Sequence, residues 1–139
     1  MALRSVLCSI VLICSVVGCG GNSNIATVTG KVSLDGQPLP DALVTFTPTA
    51  GGSPSAGRTD ARGNYILHYT RDVKGAELGE HIVSVSTLSE GDPDSDPPTP
   101  DVPEKVAPKY NENSELKKTV STGANTINLA LEGGRAENE

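Results

Sequence analysis

The chain has no tryptophan, one phenylalanine and three tyrosines in 139 residues. With Phe46, Tyr65, Tyr69 and Tyr110 as its whole aromatic stock, a core has to be aliphatic and modest in size. Histidine is scarcer still, with only His68 and His81. The ligand spacing of a zinc peptidase is missing, because His68 is followed by Tyr69-Thr70-Arg71 and His81 by Ile82-Val83-Ser84. There is no Gly-x-Ser-x-Gly elbow and no P-loop. Lys and Arg number 11 against 17 Asp and Glu, a formal charge of −6. Such a surface is repelled by phosphates, which argues against nucleic acid and against electrostatic docking on anionic lipid. No catalytic set, cofactor or structural metal is expected.

What is present begins with Arg4 and an almost wholly apolar run over residues 6–17. The run is too short for a membrane-spanning helix and has the length of a secretory h-region. Residues 1–18 are therefore read as a signal peptide. Cys8 and Cys14 leave with it, so the mature chain keeps Cys19 alone and no intrachain disulfide can form. Arg4 is the only charge removed, and the mature chain is one unit more negative than the whole.

The four residues Val16-Val17-Gly18-Cys19 resemble the bacterial lipobox: aliphatic, variable, small, then Cys. The resemblance implies cleavage between Gly18 and Cys19, a diacylglyceryl group on the Cys19 thiol and acylation of its freed amine. Three chains would exceed the roughly two that stable anchoring needs. Gly20 is not the Asp that in some bacteria retains such proteins in the inner membrane, so the expected address is the outer membrane or cell surface. Residues 19–24 read as a short lipidated tether, of which the five residues Gly20–Asn24 span at most about 18 Å.

After the tether the periodicity becomes two. Over residues 25–34, Val28, Gly30, Val32 and Leu34 share one face and Thr27, Thr29, Lys31 and Ser33 the other. Ala42, Val44 and Phe46 alternate likewise over 42–47, and a Gly/Ser/Pro loop fills 48–57. A short strand over 57–60 leads into Asp60-Ala61-Arg62-Gly63-Asn64, a hairpin turn with Gly63 left-handed. Tyr65, Leu67 and Tyr69 then point one way, Ile66, His68 and Thr70 the other. Residues 71–79 form a polar connection. A strand follows over 81–87, with Val83 and Val85 inward and His81 at its start.

Residues 89–108 carry Pro93, Pro97, Pro98, Pro100, Pro103 and Pro108 and cannot be regular structure. A loop of this length in a compact domain is functional or mobile. Within it Asp92, Asp94 and Asp96 alternate and could offer three oxygens to Ca²⁺. The glycine and closing glutamate of a calcium loop are not at the required spacing, so this is a weak metal candidate and a solvated acidic loop is the better reading. Tyr110 is a candidate either for pinning the loop to the domain or for stacking on a ligand such as a sugar. Strands over 116–121 and 124–131 turn at Thr122-Gly123, with Ile127, Leu129 and Leu131 inward, and 132–139 is a polar tail. About seven antiparallel strands and no helix after the signal predict an all-β, Greek-key β-sandwich over 25–131.

Val28-Thr29-Gly30-Lys31-Val32, the run Asp35-Gly36-Gln37-Pro38-Leu39-Pro40-Asp41-Ala42, Val44-Thr45-Phe46, Thr59-Asp60, Gly63-Asn64-Tyr65 and Gly79-Glu80-His81 together resemble the carboxypeptidase regulatory-like domain. The resemblance implies a transthyretin-like (prealbumin-like) sandwich. Val102-Pro103 through Pro108-Lys109-Tyr110-Asn111 looks like a feature of small bacterial lipoproteins carrying this domain alone. In zinc carboxypeptidases the domain is an accessory to the catalytic one. A hydroxyisourate-opening hydrolase shares the fold and ends in Tyr-Arg-Gly-Ser, whereas residues 133–139 read Gly-Gly-Arg-Ala-Glu-Asn-Glu. The expected function is a lipid-anchored, non-catalytic envelope module, structural or protein-binding. The alternative is a carbohydrate- or peptide-binding module of an envelope uptake system. The expected partners are the membrane, through the lipid, and an envelope protein or glycan.

Overall fold

Alternation of valines with Thr29 and Lys31 produces the strand on which one sheet is arranged. A computed structural model describes residues 24–133. Among these, eleven short strands form: β1 (Ile25–Ala26), β2 (Val28–Leu34), β3 (Gln37–Pro38), β4 (Leu43–Pro48), β5 (Ser55–Arg58), β6 (Asn64–Ile66), β7 (Ala76–Glu77), β8 (Gly79–Ser86), β9 (Lys117–Val120), β10 (Asn125–Thr126) and β11 (Leu129–Leu131). One 3₁₀ turn covers Pro108–Tyr110. The signal peptide, Gly18, Cys19 and most of the tether and tail lie outside the described residues.

The first sheet surrounds β2, which pairs with β3 and β6 on one side and with β10 and β11 on the other. The second has the order β5-β4-β8-β9 and is antiparallel throughout. A small β1–β7 ribbon flanks them. Their inner faces bury Val28, Val32, Leu129 and Leu131 from one sheet against Val44, Phe46, Val83 and Val85 from the other. The fold is an all-β sandwich.

Several expectations change. The strands are more numerous and shorter than seven, and the pairing is not wholly antiparallel: β10 and β11 run parallel to β2. The cause is the connection after β9. The turn around Gly123 (φ 92°) is where it was expected, but it carries the chain from β8's partner in one sheet to β2's partner in the other. The Asp60–Asn64 turn is a hairpin with Gly63 left-handed, as expected. Asp60 Oδ1 accepts the Arg62 and Asn64 amides at 2.8 and 2.9 Å, and Gly63 has φ 81°. These bonds hold the Asp60 carboxyl below its ordinary value. The two arms of the turn pair antiparallel, with Asp60 N donating to Asn64 O at 2.8 Å and Ala56 and His68 exchanging backbone bonds at 3.1 and 2.8 Å, while the outer edges of β5 and β6 pair with β4 and β2. β5 starts at Ser55, inside the expected loop, because Ser55 pairs opposite Phe46 and is fully buried.

His81 is not the start of its strand. It is the third residue of β8, shares parity with Val83 and Val85, and is fully buried. Its ring lies 5.7 Å from Phe46, centroid to centroid, and Nε2 donates to Glu77 O at 2.7 Å. A carbonyl only accepts, so Nε2 carries the hydrogen, and Nδ1 is left without a partner among the described residues. Tyr69 does not follow Tyr65 and Leu67 fully inward. It is half-buried and donates from its hydroxyl to Glu77 Oε1 at 2.9 Å. Asn24, expected in the tether, accepts from Leu78 N at 2.9 Å. In the expected tail, the Gly133 amide donates to Asp35 Oδ1 at 3.0 Å.

The expected continuous strand over 124–131 opens at Ile127. Here Gly30 brings two layers together: a Cβ on it would overlap Ile127 O and stand 2.9 Å from Tyr65 Cε1. In the space that glycine leaves, Tyr65 Oη donates to Ile127 O at 2.6 Å. Asn128 Oδ1 replaces the missing ladder acceptor for Lys31 N at 3.0 Å. Burial pushes the Tyr65 phenol well above its ordinary value of 10.0.

Strand direction gives the sandwich two distinct poles. Asn24, Gly79, Pro48 and Asn125 mark one. Leu34, Leu43, Ser86 and Leu131, placed together by the β2–β11 and β4–β8 registers, mark the other. Seven residues of β2 separate the poles by about 23 Å.

Tyr65→Phe should cost about 1–2 kcal/mol, the worth of a buried acceptor left unpaired. Gly30→Ala should cost about 3 kcal/mol, because the methyl meets backbone rather than a yielding side chain. Both are read from urea denaturation. The phenol is held neutral in the fold, so its contribution is complete below pH 10 and lost as pH rises beyond it. The alkaline loss of stability should be smaller in Tyr65→Phe, and an identical loss in both proteins would contradict the assignment.

Candidate functional site

The long proline-rich segment leaves β8 at the pole away from Asn24 and returns to it. Six prolines deny the segment a ladder, and its order comes from side chains instead. Glu104 is the main one. Its Oε1 accepts Thr87 N at 2.9 Å, Thr87 Oγ1 at 2.9 Å, Val106 N at 3.0 Å and its neighbour Lys105 N at 3.1 Å. Its Oε2 accepts from Ser86 Oγ. Burial alone would push this carboxyl up. The hydrogen bonds from Ser86, Thr87 and Val106 outweigh it and bring the group from 4.5 down to about 2. One carboxylate thereby fastens the return of the loop to the end of β8.

Beyond Glu104 the chain stays attached. Val106 is buried and bridges to Gly133. Asn111 Nδ2 donates to Val106 O at 3.2 Å, and Ser114 Oγ donates to Val83 O. Tyr110 sits in the 3₁₀ turn, half-buried and packed against the core, with Glu132 N donating to its hydroxyl at 3.4 Å. Lys109 pairs with Glu132 at 2.9 Å and stands 5.0 Å above the Tyr110 ring. The Glu132 contact holds the Lys109 ammonium above its ordinary value.

The projecting part, residues 89–102, is closed by a reciprocal pair of backbone bonds, Ser89 N to Val102 O at 3.0 Å and Val102 N to Ser89 O at 2.8 Å. Gly91 N donates to Asp101 Oδ1 at 2.7 Å, Asp92 N to Thr99 Oγ1 at 2.8 Å and Thr99 N to Asp92 O at 3.0 Å. Gly91 has no room for a side chain, since a Cβ would overlap the Thr99 carbonyl. The loop is thus a bonded structure of its own, and its base forms an open cleft of about 480 Å³ between Leu88–Gly91 and Asp101–Pro103.

Asp92, Asp94 and Asp96 are not assembled as a cation site. Asp92 Oδ1 is taken by the Asp94 amide at 2.9 Å. No group of three or more His, Cys, Asp or Glu is placed to hold a metal ion among the described residues. His68 is exposed and its backbone bridges Ala56 and Lys74, whereas His81 is buried in the core. Among the described residues no helix is long and apolar enough to cross a membrane. Glu104 and Leu88 were not singled out by sequence, and Val102 was noted only as the start of the run to Asn111. The parity of Leu88 with Ile82, Ser84 and Ser86 does mark it as outward, whereas nothing local marks Glu104. The chain matches no family model, no curated protein and no solved structure.

Glu104→Ala should cost about 2–3 kcal/mol, within the range for bonds to a charged group, and Glu104→Gln less. Amide exchange over residues 87–106 should rise in both while the β2 amides stay protected. Because the folded carboxyl is depressed, its contribution is present above pH 4.5 and fades as pH falls toward 2. Acid titration of the wild-type fold should therefore be steeper than that of Glu104→Gln.

Proposed function

We propose that this chain is a lipid-anchored β-sandwich of the bacterial cell envelope, acting as a non-catalytic interaction module of the transthyretin-like type. The observation that carries the anchor is Val16-Val17-Gly18-Cys19 directly behind Arg4 and the apolar run. Three acyl chains on Cys19 would hold the domain without any apolar surface of its own. The tether would then meet the sandwich at the Asn24 pole and leave the bonded loop at the far pole, facing away from the bilayer. That display, on an outer membrane or cell surface, suits a contact surface for an envelope partner. Support for a non-catalytic role comes from the histidines: His81 is given to the core, and His68 stands at an exposed backbone bridge. Tyr110 gives its ring to the core and to Lys109, which favours a protein partner over a sugar platform.

The decisive measurement is the intact mass of the mature protein recovered from membranes, beside Cys19→Ala. A triacylated chain beginning at Cys19 is expected, with the variant losing both lipid and membrane retention. An unlipidated wild-type chain in the soluble fraction would overturn the anchor.

A further inference from the structure

Leu88 is the most exposed large apolar side chain among the described residues at 63 %, and Val102 is 37 % exposed. Singly, neither would need an explanation. Both, however, wall the cleft at the base of the loop, on its two arms, joined by the Ser89–Val102 backbone pair. Leu43, 40 % exposed, reaches the same pole opposite Ser86.

We propose that this cleft is a docking site for a cationic polypeptide segment carrying an apolar side chain. The proposal rests on the interaction-module reading above and names the chemistry of the partner. Charge complementarity selects the occupant. Glu90 and Asp101 line the cleft, Asp92, Asp94 and Asp96 extend beyond it, and residues 88–103 contain no Lys, Arg or His. Neither of the ion pairs among the described residues, Lys109–Glu132 and Lys117–Glu80, compensates any of these acids. The negative field is therefore open to a partner, and a low-dielectric apolar wall beneath it strengthens the attraction. The carboxylates are spread along the loop and form no cluster around a point. That arrangement fits an extended chain with several positive charges better than a single divalent ion. A second copy of this chain would bring the same negative pole and be repelled.

The cleft is also preorganised. The Glu104 fastening, the reciprocal Ser89–Val102 bonds and the Asp92–Thr99 bonds fix both walls before any partner arrives, so little ordering has to be offset on binding. An apolar side chain would cover Leu88 and Val102, while its cationic neighbours reach the acidic rim.

The test uses the full chain and three labelled synthetic peptides of equal length: alternating Lys-Leu, all-Lys, and alternating Glu-Leu. Anisotropy titrations at low and physiological salt give affinity, and amide chemical shifts give location. The Lys-Leu peptide should bind with shifts confined to residues 88–103, and bind more weakly as salt rises. The Glu-Leu peptide should not bind. Leu88→Ser should weaken Lys-Leu binding about tenfold with an unchanged melting temperature, the scale set by uncovering one apolar side chain. Joint replacement of Asp92, Asp94 and Asp96 by Asn should flatten the salt dependence. All-Lys binding as tightly as Lys-Leu, shifts elsewhere on the sandwich, or indifference to Leu88→Ser would each overturn the proposal. Such a failure beside a triacylated Cys19 would leave the anchor reading intact, and peptide binding by an unlipidated chain would do the reverse.

Discussion

A single hydroxyl–carbonyl contact, Tyr65 to Ile127 O across Gly30, sets the spacing on which the sandwich depends. β2 receives partners on both edges, and the ladder on its β10–β11 side opens at this point. With a Cβ on Gly30 the opening could not be filled by Tyr65, and without the phenol the part-buried Ile127 carbonyl would lose its partner. The same ring lies 6.5 Å from Phe46, centroid to centroid, so the contact that ties the first sheet together also meets the core of the second. In a chain so poor in aromatics, Tyr65, Phe46 and His81 form a polarizable seam through a core otherwise made of valine, leucine and alanine.

The two poles of the sandwich do different work. Near Asn24 the chain is stitched by short bonds to Leu78 and by Thr49 to Glu80 O. At the far pole the stitching is carried by a carboxylate, and its consequence is a loop bonded at its base to the end of β8. Proline and acid content alone describe a solvated, mobile segment. Glu104 changes that outcome by supplying, from one side chain, acceptors that a strand neighbour would otherwise provide.

Much of this was legible in sequence, and the boundary has a physical cause. β2, β4 and β8 follow from period-two patterning, and Gly63 follows from the need for positive φ in the Asp60 turn. His81 was legible in principle from its parity with Val83 and Val85, but placing it at the start of the strand left its burial unread. The parallel pairing of β10 and β11 with β2 was not legible, because alternation reports which face a residue takes and says nothing of which strand lies beside it. Glu104 was hidden for a related reason: its partners Ser86 and Thr87 precede it by 18 and 17 residues, and local spacing carries no trace of them. Asp92, Asp94 and Asp96 gave a legible alternation whose meaning is set by backbone bonds that sequence does not display.

The pairing of β2 with β10 and β11 also bears on how the molecule comes to be. Lys31 finds its acceptor on Asn128, 97 residues later. β2 thus has an empty edge until residues 125–131 have followed it. Closing so long a loop is entropically costly before any contact repays it, and topologies dominated by distant pairs fold slowly. Until residues 125–131 are made, β2 lacks its partner on that edge, and the first sheet cannot close around it.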